Sequence, residues 1–259
     1  MQPPVAIVGV GELGGVFARA FLKSGHPVYP VTRKMEINSA LDRIPSPVLT
    51  LVAVGEKDLS SVLGKMAPAH RRTVGLLQNE LLPDAWESND IENPTVISVW
   101  FEKKRGMAVN ALRDSPVYGP QAALITDALE RIGLPCRQLP GRGELLFELV
   151  VKNIFVYMIN ICGLKTGGST GALWNNHTLL AQQVAADIID LQEAVTATTF
   201  SHDDLMRGVI AGIEGDPEHK CMGRSARARL SRFIAMADEA GLPARAVRAI
   251  HEEIGADPT

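Results

Sequence analysis

Three glycines near the amino terminus have the spacing of a nucleotide-binding turn. They form the stretch Gly9-Val-Gly11-Glu-Leu-Gly14, which follows the apolar run Val5–Val8 and precedes a segment of helical periodicity over residues 12–24. Between a strand and a helix, such glycines permit a tight turn, close approach of a pyrophosphate, and packing of the helix on the strand. The backbone amides of the turn, including those of Glu12 and Leu13, would face the phosphates of a dinucleotide. The alternative is a turn of the same shape that binds no nucleotide.

The residues that follow the second predicted strand, Val28–Thr32, indicate which dinucleotide is preferred. An acidic residue at this point binds the ribose 2′-hydroxyl of NAD, whereas cations accept the 2′-phosphate of NADP. The chain has Thr32-Arg33-Lys34 and no carboxylate here, and the planar guanidinium of Arg33 suits a phosphate. We therefore predict NADP(H) as the cofactor, with Arg33 as a contact. A solvated basic loop is the alternative.

A lysine and an asparagine interrupt a long apolar run in the second half of the chain. Lys152 and Asn160 lie within residues 148–160, where most neighbours are apolar. If this segment is helical, the two side chains are about 80° apart around the axis and about 12 Å apart along it. They could flank a substrate without touching each other. Alternatively, Lys152 extends to the surface and Asn160 bonds a neighbouring backbone group.

The elements that would position these residues alternate between strands and helices in the first half of the chain. Strands are predicted at Val5–Val8, Val28–Thr32, Val48–Val54, Thr73–Leu77, Thr95–Trp100 and Cys136–Leu139, with two shorter runs after Met107. Helices are predicted at residues 12–24, Lys57–Met66, Leu81–Glu87 and Gln121–Ile132. This alternation is typical of a doubly wound parallel sheet. The first domain is therefore predicted to be a Rossmann domain over residues 1–141.

Helical periodicity dominates the rest of the chain. Pro140-Gly141-Arg142-Gly143 is interpreted as a linker, and residues 142–259 as an all-helical domain for substrate binding or dimerisation. Its clearest helix carries a core-facing stripe of Leu180, Val184, Ile188, Leu191 and Val195. The predicted fold class is thus α/β, with a Rossmann sheet followed by a helical domain, and a substrate is expected outside the strand ends of the sheet.

Composition and charge exclude several other classes of protein. The chain has 259 residues, 46% of them hydrophobic and 21% charged, with a net charge of -3, which is ordinary for a soluble enzyme and argues against a nucleic-acid partner. A local basic group is interpreted as the solvated face of a helix without a functional role; it consists of Arg224, Arg227, Arg229 and Arg232.

The cysteines and the apolar segments indicate a cytoplasmic protein. Cys136, Cys162 and Cys221 are far apart and odd in number, so we predict neither a disulfide framework nor a metal site. The amino-terminal residues lack the basic region and cleavage site of a secretory signal. The most apolar stretch, Asn153–Leu164, falls short of the roughly 20 residues that span a bilayer. It is predicted to be a buried helix.

Taken together, these residues resemble those of the ketopantoate reductase (2-dehydropantoate 2-reductase) family, in which a Rossmann domain precedes a helical domain. The glycine turn matches the family's nucleotide turn, and Arg33 lies where the family carries an NADP-binding arginine. Asn79, after Gln78, resembles an asparagine that lies by the cofactor. Lys152 matches the catalytic lysine, and Asn160 matches the second of two asparagines that follow it. The resemblance implies an NADPH-dependent oxidoreductase in which Lys152 protonates a carbonyl oxygen and Asn160 orients the substrate.

The chain departs from the family pattern at positions that handle the substrate. Val156 replaces the first asparagine, and Glu80 replaces a glycine after Asn79. The lysine expected after the third strand falls near Gly55, and no glutamate aligns near Ser225. We therefore expect a small carbonyl substrate other than ketopantoate. The alternatives are an NADP(H)-binding sensor or partner-binding module that has lost catalysis, and an imine or pyrroline reductase. The sequence is compatible with a homodimer.

Overall fold

The computed structural model describes residues 2–256 and divides into two compact units, Met1–Leu149 and Val150–Thr259. Among its described residues, the first unit contains nine strands: β1 (Val5–Val8), β2 (Val28–Val31), β3 (Leu49–Val52), β4 (Val74–Leu76), β5 (Thr95–Ile97), β6 (Phe101–Lys103), β7 (Val109–Ala111), β8 (Ser115–Tyr118) and β9 (Cys136–Gln138). Seven of them form one sheet in the order β2-β1-β3-β4-β5-β8-β9, and β6 and β7 form a separate hairpin.

Parallel pairing joins β2, β1, β3, β4 and β5, whereas β8 runs antiparallel to β5 and parallel to β9. The helices of this unit are α1 (Glu12–Lys23), α2 (Ile37–Leu41), α3 (Glu56–Lys65), α4 (Pro68–Arg71), α5 (Asp84–Glu87) and α6 (Ala122–Glu130). Two apolar clusters cover the sheet, one on each face, with helices α1 and α6 packed in the first and α2 and α3 in the second. The predicted Rossmann architecture is confirmed, including the edge strand β9.

Helix α1 shows why the local sequence produces this unit. Its apolar residues Val16, Phe17, Ala20 and Phe21 recur at helical spacing and are all buried against the sheet. An acidic residue in the first turn and a lysine in the last turn complement the helix dipole. The helix ends before Gly25, whose φ of 84° is readily adopted only by glycine.

Strand β2 forms one edge of the sheet. The amides of Val5 and Gly9 donate to the carbonyls of Pro27 and Val31, both at 2.9 Å. Because backbone groups alternate in direction along a strand, the nitrogen of Pro30 points away from β1. Proline has no N–H group, so this edge lacks a donor at its middle.

The segment after β5 differs from the prediction. The expected strand Thr95–Trp100 ends at Ile97, and the chain then enters the hairpin of β6 and β7. Trp100 donates its backbone N–H to the side-chain hydroxyl of Ser115. This N–H is therefore not paired with a backbone carbonyl of a neighbouring strand. The short helices α2 and α4 were also not predicted, because four or five residues are too few to show a helical period.

Helix α7 (Arg142–Thr166) begins where a linker was expected and contributes to both units. Its first turns belong to the sheet unit, since Leu145 and Leu149 pack in an apolar cluster with Trp86. The division between the units therefore falls eight residues after the expected boundary. By length and hydropathy, α7 could cross a membrane, but 83% of its most apolar window is buried inside the protein. Burial of Asn153–Leu164 within a helix agrees with the prediction.

A group of charges holds the start of α7 on the sheet unit. The carboxylate of Glu148, whose side chain is 8% exposed, lies 3.4 Å from Arg113 and also pairs with Arg137. Arg113 in turn stacks over the ring of Trp100 at 4.9 Å. Removing Glu148 would leave two cations without this carboxylate, which is the costly way to break an interior ion pair.

We expect Glu148→Gln to lower the free energy of unfolding by about 2 kcal/mol, less than the ~3–5 kcal/mol of a wholly buried pair, because Arg137 reaches solvent. Urea denaturation would measure the change. The matched control is Glu144→Gln, an exposed residue one turn earlier on the same helix, which should change stability by less than about 0.5 kcal/mol. Equal losses in the two variants would contradict the role given to Glu148.

The second unit contains only helices among its described residues. After the rest of α7 come α8 (Thr170–Asn176), α9 (Thr178–Thr196), α10 (His202–Gly215), α11 (Ala226–Glu239) and α12 (Arg245–Ala256). The hydroxyls of Ser169 and Ser201 cap α8 and α10 by accepting backbone N–H groups of the first turn. An all-helical second domain is therefore confirmed.

The apolar stripe predicted on α9 is mostly buried. Val184, Ile188 and Leu191 are each 0% exposed, and Leu180 is half-buried. Val195 is the exception, because it is exposed in the last turn of the helix. The helix ends one residue later, so this turn extends past the core that buries the rest of the stripe.

Candidate functional site

The glycine turn between β1 and α1 has the close approaches that its sequence predicts. Gly9 has a φ of 93°, and a Cβ atom added at Gly14 would lie 2.2 Å from the carbonyl oxygen of Gly9. A side chain at either position would clash or strain the backbone. At Gly11, by contrast, an added Cβ would meet nothing within 4 Å. Packing within this chain therefore does not require a glycine at Gly11, which leaves an open cradle of the kind a pyrophosphate would fill.

A carboxylate lies at the start of α1, where phosphates would bind. Glu12 is the first residue of the helix, and its carboxylate is 3.7 Å from the ammonium of Lys103 on β6. Contact between the rings of Phe17 and Phe101, 5.9 Å apart, brings the hairpin against α1. The positive charge of Lys103 offsets the negative charge of Glu12, which would otherwise repel an anion at the start of α1. Leu13 contributes a half-buried side chain to the core cluster.

Arg33 and Lys34 are exposed in the loop after β2, at the carboxyl end of the parallel strands. The nearest acidic residue in the chain, Glu36, has another use. Its carboxylate accepts hydrogen bonds from the backbone amides of Asn38 and Ser39 at the start of α2, and these bonds lower the pKa of the Glu36 carboxyl. Both cations are thus presented to solvent, and the carboxylate serves as a helix cap.

The carboxyl ends of β3 and β4 are joined by an amide side chain. The buried Gln78 donates from Nε2 to the carbonyls of Val52 and Val54, at 2.7 and 3.2 Å. The adjacent Asn79 is half-buried and donates to the carboxylate of Glu56 at 3.2 Å. Because its nitrogen faces Glu56, the orientation of the Asn79 amide is defined.

The residue after Asn79, Glu80, has an unusual backbone conformation. Its φ is 60°, in the left-handed region that favours glycine. A non-glycine residue in this region is uncommon and is seen where the surrounding structure fixes it. The turn after Asn79 is therefore held in a conformation that glycine adopts more readily.

Lys152 lies on the part of α7 that belongs to the second unit. It is half-buried, and its ammonium is 5.5 Å from the centre of the Phe155 ring. Phe155 is buried and contacts His219, with ring centres 6.3 Å apart. The ammonium of Lys152 thus makes a cation–π contact with the ring of Phe155.

Asn160 is buried, and both ends of its amide have partners within the second unit. Its Nδ2 donates to the carbonyl of Val156 at 2.8 Å. Its Oδ1 accepts from the backbone N–H of Gly223 and from the guanidinium of Arg229, both at 3.4 Å. The arrangement includes the bond to a neighbouring backbone group that was the alternative interpretation. Asn160 therefore ties two further segments to α7.

Arg229 corrects one interpretation of the sequence. The arginines around it were assigned to a solvated face, and Arg224 and Arg227 are indeed exposed, but Arg229 is only 8% exposed. It lies three residues after Ala226 and four before Phe233, both buried, so it belongs to the inward face of α11. That spacing could have revealed its burial.

The segment before α11 lies directly on α7. A Cβ atom added at Gly163 would be 2.8 Å from the Cβ of Cys221, so only glycine allows this approach. Backbone bonds also fix the segment, since Cys221 donates to Gly168 and Thr170 donates to His219. Gly223 is thereby held within reach of Asn160.

The cysteines and the possible metal ligands of the described residues were the other candidates for chemistry. All three cysteines are free, and burial raises the pKa of Cys162 to about 12 and that of Cys221 to about 11. These thiols stay protonated at neutral pH and are poor nucleophiles. Within residues 2–256, no group of three or more His, Cys, Asp or Glu side chains could hold a metal ion.

Comparison with known proteins identifies the fold. No protein-family model matches the chain, and no curated protein matches it in sequence. Solved structures do match over nearly the whole chain. The 2-dehydropantoate 2-reductase of Methylococcus capsulatus has a TM-score of 0.73 at 10% identity, and the match covers 97% of this chain and 96% of that one.

Two further structures agree with this result. A dimeric ketopantoate reductase of Staphylococcus aureus has a TM-score of 0.66 at 16% identity, with 98% of each chain covered. A D-mandelate dehydrogenase, solved with NADH and anilino(oxo)acetate, has a TM-score of 0.67 at 13% identity, with 98% of this chain and 97% of that chain covered. The protein has the fold of ketopantoate reductases, as the resemblance in its sequence implied.

Proposed function

We propose that the protein is an oxidoreductase of the ketopantoate reductase type that uses NADP(H) and acts on a small carbonyl compound. The observation that carries the proposal is the turn of Gly9, Gly11 and Gly14. Two of these glycines are required by close backbone approaches, and the third leaves an open cradle. The fold neighbour solved with NADH shows that this fold accepts a nicotinamide dinucleotide.

Residues of this chain would bind the cofactor and supply the proton for carbonyl reduction. The turn and the start of α1 hold the pyrophosphate, and Arg33 holds the 2′-phosphate. When bound, NADPH supplies a hydride to the carbonyl carbon. Lys152, as an ammonium, donates a proton to the oxygen that becomes an alkoxide, and then recovers a proton from water. The product is the corresponding alcohol.

Activity is tested by mixing the purified protein with NADPH and a panel of simple ketones, 2-oxo acids and cyclic imines. Oxidation of NADPH by a ketone or 2-oxo acid supports the proposal. Turnover of cyclic imines alone would assign the protein to imine or pyrroline reductases. Binding of NADPH with no turnover across the panel would favour the second candidate function, a sensor or partner-binding module. That candidate is supported by the engaged amide of Asn160 and by the buried, apolar Val156.

The choice between the two nicotinamide cofactors gives a prediction for Arg33. NADPH should bind more tightly than NADH by at least about tenfold, or about 1.4 kcal/mol, since a phosphate meets a guanidinium. Arg33→Ala should remove most of this preference, as measured by fluorescence titration with both cofactors. Arg131→Ala is the matched control, because this exposed arginine directly follows α6 and pairs with Asp127. A preference that survives in Arg33→Ala would remove Arg33 from the role.

Assembly and location follow the same proposal. The Staphylococcus aureus neighbour is dimeric, and we propose a homodimer here, which sedimentation of the purified protein would test.

Cytoplasmic location is proposed from the free cysteines, since structural disulfides are typical of oxidising compartments.

A further inference from the structure

We infer that Lys103 binds the pyrophosphate of the dinucleotide directly, as a cation that the hairpin of β6 and β7 supplies to the glycine turn. This inference rests on the proposed use of NADP(H) and adds one binding residue to that site. The observation behind it is the position of the Lys103 ammonium, 3.7 Å from the carboxylate of Glu12 at the first residue of α1. All the residues involved belong to the first unit.

Packing of the hairpin on α1 places Lys103 beside the turn. Phe101 and Lys103 are two positions apart on β6, so their side chains lie on the same face of the hairpin. Phe101 is buried, and its ring contacts that of Phe17 on α1, with centres 5.9 Å apart. Val109, which is paired with Lys103 across the hairpin, packs against the same apolar cluster as Leu13 in the first turn of α1. The core therefore fixes the strand that carries Lys103 against this helix.

The ammonium of Lys103 has a hydrogen-bond donor left for a ligand. An ammonium has three N–H groups, and two of them donate to backbone carbonyls of the hairpin turn, that of Lys104 at 2.9 Å and that of Met107. The distance of 3.7 Å to Glu12 is too long for a hydrogen bond. Among the residues that the structure describes, the third N–H therefore has a charged neighbour but no acceptor.

The first turn of α1 offers the complementary part of an anion site. Gly11 is the N-cap and has no side chain, so it cannot cap the backbone amides that follow. These amides and the open space at Gly11 suit a pyrophosphate, but Glu12 brings a negative charge to the same place. A bond from the third N–H of Lys103 to a pyrophosphate oxygen would offset that repulsion, since bonds between charged groups are strong. Lys103 thus bears on the pyrophosphate, whereas Arg33 bears on the 2′-phosphate.

The test measures the affinities of wild type and variants for two probes, NADPH and adenosine 2′-monophosphate, which lacks the pyrophosphate. In Lys103→Gln, Kd for NADPH should rise by about tenfold, the lower end for losing a hydrogen bond to a charged group, while Kd for adenosine 2′-monophosphate stays within about twofold. Lys103→Arg should keep most of the NADPH affinity, because it keeps the charge. The matched control is Lys104→Gln, which removes an exposed ammonium of the same hairpin that pairs with Glu102 and should change neither Kd by more than about twofold.

Two further readouts separate direct binding from an indirect effect. If Lys103 only neutralises Glu12, the loss should disappear when Lys103→Gln is combined with Glu12→Gln, whereas direct binding predicts that a loss of at least about fivefold persists. Removing a charge contact should also make NADPH binding less dependent on salt, which a merely loosened hairpin would not do. Unchanged NADPH affinity, a loss that disappears with Glu12→Gln, unchanged salt dependence or equal changes for both probes would overturn the inference and leave the proposed function intact.

Chemical labelling of the wild-type protein decides the question if Lys103→Gln does not fold. Bound NADPH should slow the acetylation of Lys103 several-fold relative to that of Lys104, as measured by mass spectrometry, and adenosine 2′-monophosphate should not. Equal rates with and without NADPH would overturn the inference. A wild-type protein that binds no NADPH would instead refute the proposed function, and this inference with it.

Discussion

Replacing Lys152 by alanine is expected to lower the turnover of carbonyl reduction by about 10² or more, the usual effect of removing a positioned acid. Negative charge grows on the carbonyl oxygen only in the transition state, so an ammonium placed there acts mainly on kcat. NADPH affinity should stay within a few-fold of wild type, because the dinucleotide-binding turn lies in the other unit. Steady-state kinetics with the best substrate of the panel, together with a fluorescence titration of NADPH, would measure both quantities.

Lys165→Ala is the control for this experiment. Lys165 lies on the same helix and pairs with Glu253 at 2.5 Å on the surface, so its loss should leave turnover unchanged. If Lys152→Ala retained wild-type turnover, the lysine would have no catalytic role. A parallel loss of NADPH affinity would instead indicate damage to the fold.

Ketopantoate is expected to be a poor substrate in comparison with simpler carbonyl compounds. The family relies on polar side chains to bind the hydroxyl and carboxylate of ketopantoate, and this chain has a buried valine at position 156, 6% exposed, in place of one of them. An unpaired hydroxyl in an apolar pocket costs about 1–3 kcal/mol. Two such losses would reduce kcat/KM by roughly 10² to 10⁴. The comparison is made under saturating NADPH with the panel of ketones, 2-oxo acids and imines.

The environment of Glu193 bears on this expectation. Glu193 could have replaced the glutamate that the sequence lacks, but its carboxylate accepts from the backbone of Phe200 at 2.8 Å and lies 3.3 Å from His202. It thus holds the connection from α9 to α10. A kcat/KM for ketopantoate above about 10⁴ M⁻¹s⁻¹, within the ordinary range for enzymes, would contradict the prediction.

Most of the fold could be predicted because its determinants are local. The glycine turn, the apolar stripe of α1 and the short β-branched strands are each defined within a few neighbouring residues. Elements whose existence depends on distant partners could not be predicted. At the break between β5 and β6, the backbone N–H of Trp100 bonds the side chain of Ser115, fifteen positions away. The first turns of α7 join the sheet unit through Glu148, Arg113 and Arg137, which no sequence period reveals.

The candidate site divides in the same way. The roles proposed for Gly11 and Arg33 follow from their place after a strand, which the sequence shows directly. The partners of Glu12 and Asn79 lie on other elements, so the pairs with Lys103 and Glu56 appear only in the structure. Arg229 is intermediate, since its burial could be inferred from Ala226 and Phe233, whereas its contact with Asn160 spans 69 residues.

The proline in strand β2 has a consequence for the behaviour of the protein at high concentration. An open sheet edge is a template on which another chain can add a strand, and such addition is how folded proteins begin to aggregate. The nitrogen of Pro30 points outward and offers no donor to an incoming strand, and β2 is only four residues long. This edge is therefore a poorer template for an incoming strand than an edge with a full set of donors would be.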